Sequence, residues 1–153
     1  MRGSVTVQMA ATPDVVWDLV SDVTRIGEFS PETFEARWTR GSTGPEVGAW
    51  FKGHVRRNGI GPVYWTLCRV TECTPGEDFG FVVVMKDTDL NHWRYRLRAV
   101  DGGTAVTESF ELPAKGFLKL YWAILGPLRG RTNERGMRQT LERIKAIAEG
   151  VPA

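Results

Sequence analysis

The sequence predicts an α+β protein: one antiparallel sheet of seven strands curled around a long C-terminal helix, with two short helices between the first and second strands. Three observations carry this. Between Asn133 and Glu149, Met137, Leu141, Ile144 and Ala148 recur at intervals of four, three and four, with Gly136, Thr140 and Ile147 beside them. That is an apolar stripe at helical period, and Glu134, Arg135, Arg138, Glu142, Arg143 and Lys145 cover the opposite side. Residues 34–112 break into short apolar runs separated by turn sequences, the signature of strands joined by tight connections. Finally, seven strands about 4.8 Å apart make a sheet roughly 34 Å wide. A helix with its side chains is only about 10–12 Å across, so a flat sheet would stay uncovered and this one must curl.

Size and composition set the frame. At 153 residues the chain fits one domain, 1–153, with one core. Hydrophobic content of 42% and charged content of 25% are those of a soluble globular protein, and a net charge of +2 is too small to indicate a nucleic-acid partner. Cys68 and Cys73 fall in one predicted strand, five residues and therefore roughly 16 Å apart, beyond the reach of a disulfide. Two free thiols suit a reducing compartment. The first residues lack the apolar run of a secretory signal. The longest apolar stretch, Phe117 to Leu128, is interrupted by Lys119 and too short to span a bilayer. A cytoplasmic location is the expectation.

Taken in order, Ser4–Met9 alternates as a first strand. Thr12-Pro13-Asp14 then starts a helix, with Thr12 as N-cap, Pro13 in its first position and Asp14 near the positive end of the dipole. A second short helix runs from Asp22 and stops before Pro31. Phe34–Arg40 is a strand with Phe34, Ala36 and Trp38 on one face, and residues 41–45 form a turn. Ala49–Arg56 sets Phe51 and Val55 opposite Trp50, Lys52, His54 and Arg56. Asn58-Gly59 is a hairpin signal leading into Val63–Cys73. There Trp65 and Leu67 point one way and Cys68 and Val70 the other, so the inward face stays open and a bulge would reconcile them. Phe79–Met85 is apolar on both faces. Asn91–Val100 alternates cleanly, with Trp93, Tyr95, Leu97 and Ala99 inward and His92, Arg94, Arg96 and Arg98 outward. In Thr104–Leu112, Val106, Phe110 and Leu112 share their face with Glu108.

The width mismatch has a second consequence. Space left between sheet and helix becomes a cavity, expected to be walled by Trp38, Phe51, Trp65, Phe81, Trp93, Tyr95 and Phe110. Tyr121, Trp122, Met137 and Leu141 would complete it from the C-terminal region. An apolar cavity with few polar groups is what small-molecule sites look like, and a solid aromatic core is the competing outcome. Gly136 bears on the choice, because a glycine inside a helix costs about 1 kcal/mol relative to alanine. It either leaves room beneath itself or lets helix and sheet approach closely.

The chain resembles the polyketide cyclase/dehydrase-like branch of the START-like (SRPBCC) superfamily. The resemblance is carried by residues 16–23, by Phe29-Ser30-Pro31-Glu32 and by residues 44–49. Trp65, Val70-Thr71-Glu72, Pro75-Gly76, Trp93-Arg94-Tyr95, Gly103-Thr104 and Glu108-Ser109-Phe110 continue it. It spans nearly the whole chain and implies the helix-grip fold, with a lipophilic small molecule as partner. The apolar insertion Gly116–Leu128 before the last helix departs from the family pattern.

Among candidate chemical groups, Glu108 stands out. On an apolar face its carboxyl would be desolvated and its pKa raised toward the range of general acid/base work; an ion pair is the structural alternative. Arg69, on the Trp65–Leu67 face, is the candidate partner, and Tyr95 a candidate donor to a ligand carbonyl. His54 and His92 alternate outward, which removes the usual base for a nucleophilic serine or cysteine, and no Gly-x-Ser-x-Gly occurs. No zinc spacing and no dinucleotide fingerprint is present, so no metal and no cofactor are expected. Residues 117–125 are apolar almost all round and would serve as a cavity lid, as plain core, or as a homodimer or transient membrane contact. The sequence thus points to binding or transport of a lipid, polyketide or isoprenoid. The alternatives are a cyclase or dehydratase using Glu108, and an interaction module using 117–128.

Overall fold

The computed structural model describes residues 2–56, 62–112 and 117–150, with side chains described in all of these except 117–132. Strands β1 (Arg2–Met9), β2 (Thr33–Thr39), β3 (Trp50–Val55), β4 (Tyr64–Thr74), β5 (Asp78–Met85), β6 (Thr88–Val100) and β7 (Gly103–Glu111) form one antiparallel sheet. Its order is β1-β7-β6-β5-β4-β3-β2, a meander from β2 to β7 with β1 added beside β7, and it does not close. Helix α1 (Pro13–Ser21) and the 3-10 helix Val23–Glu28 lie between β1 and β2, and α2 (Phe117–Ala148) ends the fold.

Local chemistry accounts for the opening elements. Thr12 Oγ1 accepts a hydrogen bond from the Val15 N–H at 3.4 Å, and Pro13 occupies the first turn, where its missing N–H costs nothing. Asp22 Oδ1 accepts from the Thr24 N–H at 3.1 Å and starts the 3-10 helix. That helix packs onto β2 so closely that a Cβ on Gly27 would lie 2.2 Å from the Phe34 carbonyl oxygen, so only glycine fits.

Strand parity differs from expectation at two places. A register shift between Thr33 and Glu35 turns Phe34 outward, where its ring lies 4.4 Å from that of His54, while Ala36 and Trp38 keep the inward side. In β4, Cys68 and Val70 are the inward pair and Trp65, Leu67 and Arg69 point out, opposite His54, Lys52 and Trp50 of β3. The bulge exists further along, between Val70 and Glu72, and brings Cys73 back to the core beside Phe79. The long helix begins at Phe117, so residues 117–128 belong to it and are not a separate segment before it.

The core is solid at one end. Val16, Leu19, Phe79, Val106, Leu141 and Ile144 are almost completely buried, and α2 lies chiefly along β1. Glu149 fixes that end: its carboxylate accepts from the Ala10 N–H at 2.8 Å and pairs with Lys145.

Candidate functional site

At the other end, sheet and helix part around a cavity of about 390 Å³. That lies within the roughly 300–1,000 Å³ usual for small-molecule sites. Its inner wall is aromatic: Phe51 from β3, Phe81 from β5, Trp93 and Tyr95 from β6 and Phe110 from β7. Phe51 meets Phe81 edge-on at 5.0 Å, and Trp93 leans on Phe110 at 5.6 Å, so the rings hold one another in place. Gly136, Met137 and Thr140 of α2 face these rings. A Cβ placed on Gly136 would meet nothing within 4 Å among the described residues. The glycine therefore leaves room and does not mediate a close helix–sheet contact.

The mouth is built from strand ends and one loop. Tyr64 and Met85, both exposed, line it from β4 and β5, together with Leu90 and Asn91. Opposite lies Ser30-Pro31-Glu32, held by Ser30 Oγ, which accepts from the N–H groups of Glu32 and Thr33 at 3.3 and 3.0 Å. Fully buried Phe29 roots that loop in the core.

Glu108 sits in the wall with only 5% of its surface exposed. Register places it between Val5 of β1 and Tyr95 of β6. The Tyr95 hydroxyl donates to Glu108 Oε1 at 3.3 Å, and the buried Oε2 has no partner among the described residues. Burial pushes the Glu108 carboxyl up to about 8, against the opposing pull of the tyrosine hydrogen bond. Burial first, and the neighbouring carboxylate second, hold Tyr95 well above its usual range. At neutral pH the pair is therefore an uncharged acid beside an uncharged phenol, a donor group in apolar surroundings.

Other expected site residues lie elsewhere. Arg69 is not the partner of Glu108; its guanidinium pairs with Asp89 at 2.7 Å and lies over the Trp50 ring on the outer face. Trp65 is 41% exposed, stacked on His54 at 4.0 Å with Lys52 over its ring, and contributes nothing to the cavity wall. Both corrections follow from β4 parity: residues 65, 67 and 69 share the outward face. Trp38 stands behind Phe51 at 5.8 Å, and Leu141 is buried in the packed end, so neither reaches the cavity surface. Tyr121, Trp122 and the whole apolar 117–128 stretch lie outside the described side chains. Sequence reading missed Thr66, Cys68 and Val83, which parity alone supplies once Cys68 faces inward, and Thr140, already visible in the helical stripe. His54 and His92 do face out, bonded to Glu35 and Glu72 respectively. Among the described residues no cluster of His, Cys, Asp or Glu is arranged to hold a metal, and no helix is long and apolar enough to cross a membrane.

An unclosed antiparallel sheet curled around one long helix, with an apolar cavity between them, defines a helix-grip protein of the SRPBCC type. The chain belongs to the family described as polyketide cyclase/dehydrase and lipid transport, which matches residues 2–149. Among solved structures, it is similar to the Polyketide_cyc-like protein Cgl2372 of Corynebacterium glutamicum, at 29% identity and a TM-score of 0.54, over 98% of this chain and 86% of that one. Protein CV1439 of Chromobacterium violaceum shares the fold at 17% identity and a TM-score of 0.70, over 99% of both chains. The di-domain ARO/CYC StfQ from the steffimycin biosynthetic pathway shares it at 14% identity and a TM-score of 0.69, over 97% of this chain and 50% of that one. A search of curated proteins gives no match. Membership of this family supports a lipophilic small-molecule ligand or a polyketide-related function.

Proposed function

We propose that the protein binds and carries a lipophilic small molecule, a lipid, polyketide or isoprenoid, in the cavity between α2 and the sheet. The observation that carries this is the cavity itself, about 390 Å³ walled by five aromatic residues where α2 offers a glycine. Burying apolar ligand surface there is worth roughly 25 cal/mol per Å² before the costs of immobilisation. Native mass spectrometry of freshly purified protein should show a retained small molecule, and equilibrium dialysis against a lipid and polyketide panel should find binders. Gly136→Leu should fill the cavity and abolish binding while the far spectral signature of the fold persists. A panel without a single binder, together with an empty purified protein, would overturn the reading. A cytoplasmic site of action belongs to the same proposal and is supported by the two free thiols, Cys68 and Cys73.

One observation favours a second reading, a cyclase or dehydratase. A carboxyl held near 8 beside a phenol can exchange protons with a bound carbonyl compound around neutral pH. In that case Glu108→Gln should abolish turnover and spare binding, while unchanged turnover would end the proposal.

A further inference from the structure

The cavity wall is uneven in charge as well as in packing. No lysine, arginine or histidine lines it among the described residues, and its two carboxyls are Glu108 in the wall and Glu32 at the mouth. An anionic headgroup inside it therefore meets no counter-charge among the described lining residues; Arg56 lines only the adjoining depression that shares Pro31 and Glu32 with the mouth. Its polar centre is the Glu108–Tyr95 pair. Tyr95 donates to Oε1, which leaves a proton on the acid without an acceptor and Oε2 without a partner. The Oε2 position itself is closed off, but a half-turn about the Cγ–Cδ bond exchanges the two oxygens, since this torsion is broad and nearly two-fold, and so brings the proton to the position beside the Tyr95 hydroxyl. A buried donor with no acceptor is costly, and a guest that brings an acceptor removes that cost.

We infer, resting on the binding reading above, that the guest is an uncharged apolar molecule carrying one hydrogen-bond acceptor, such as a ketone, quinone or ester carbonyl, received by the Glu108 carboxyl, and that free fatty acids are turned away. The described groups that pair with Glu108 in the sheet or line the cavity with it support this, and those from β3 and β5 are uncharged throughout. From β6 it meets the Tyr95 hydroxyl, and from β1 the aliphatic Val5. From α2 the uncharged Met137 and Thr140 face the cavity, and the Thr140 hydroxyl donates to the Gly136 carbonyl at 2.8 Å. From β4 the Cys68 thiol lines the wall, held neutral by burial, which pushes it to about 12. No charge from these residues stabilises the ionised carboxylate. The acid form persists through neutrality and is lost as pH rises past about 8.

The test uses the full chain and three probes of equal chain length: a long-chain methyl ketone, the corresponding fatty acid and the corresponding alkane. Affinities are measured by calorimetry near pH 6.5, where the fatty acid in water is ionised and Glu108 is not. The ketone should bind roughly tenfold more tightly than either other probe, the scale of one buried hydrogen bond. Its affinity should fall between about pH 7 and 9, while alkane binding should stay flat or change less. Glu108→Gln, which keeps a donor of similar shape, should retain ketone binding and lose the pH dependence. A fatty acid that binds as tightly as the ketone, or a ketone affinity in the wild-type protein that ignores pH, would overturn the inference and leave the cavity reading standing. No measurable binding of any of the three would overturn both. The wild-type comparison needs no variant to fold, and circular dichroism checks that Glu108→Gln does.

Discussion

Glu108 is an acid whose proton is kept by its surroundings, and this has a thermodynamic consequence independent of any ligand. An exposed glutamate in the unfolded chain titrates near its ordinary value of 4.5, whereas the folded carboxyl titrates near 8. Between these two values the native state holds a proton that the unfolded state has released, so stability falls as pH rises. The contribution is fully present below the unfolded value, is lost progressively through the folded one, and is flat above it. Thermal denaturation from about pH 5 to pH 9 should show this loss, on the order of a few kcal/mol, and Glu108→Gln should flatten the profile. Tyr95→Phe should move the midpoint of the ligand-affinity profile upward, because the tyrosine hydrogen bond is the one influence lowering the Glu108 value. Of the three candidate chemical residues, alternation brought Glu108 and Tyr95 to the inner face correctly, since β6 and β7 are regular where they pair. Arg69 went astray because β4 carries apolar residues on both faces, and Trp65 weighs as much as Cys68 in a parity argument. What pulled Trp65 outward was a set of companions, His54, Lys52 and Arg37, that can cover an indole on a wet surface.

Among the elements, the described part of α2 serves the cavity at one end and the packed core at the other. Leu141 and Ile144 are fully buried at the packed end, and Gly136 stands over open space. Leu141→Ala should therefore cost about 2–5 kcal/mol, measured by urea denaturation, since the surrounding side chains have nowhere to collapse. Gly136→Ala should do the reverse and add up to about 1 kcal/mol, because the new methyl meets no obstacle and the unfolded chain loses freedom. The start of this helix was hidden in the sequence. Gly126, Pro127 and Gly130 interrupt any helical pattern before Asn133, and local propensity argues there for a break. The helix nonetheless runs from Phe117. The register shift that turned Phe34 outward was equally invisible, because a bulge leaves no mark in composition and flips every residue on one side of it.

For the whole molecule, order and number of elements were legible because they depend on periodicity and turn chemistry, which are local. Whether the interior is full or hollow depends on where side chains end in three dimensions, whereas sheet width and helix diameter fix only that one helix is too narrow to cover the sheet. The structure shows both outcomes at once, a packed end and a hollow end, joined by the same strands. Hydrogen exchange should follow this division. Amides of β7, which is paired on both sides, and of residues 141–148 should be the slowest, those of β5 and β6 around Met85 to Asn91 faster, and a bound probe should slow the second group selectively.

The tie between Glu149 and the Ala10 N–H gives the helix a fixed pivot at one extremity. Gly136 lies thirteen residues away, about 20 Å along the axis, so a tilt of roughly 5° displaces it by nearly 2 Å. The open space under Gly136 thus lies well away from the helix's carboxylate anchor, where a given angular change translates into a larger displacement than it does beside that anchor.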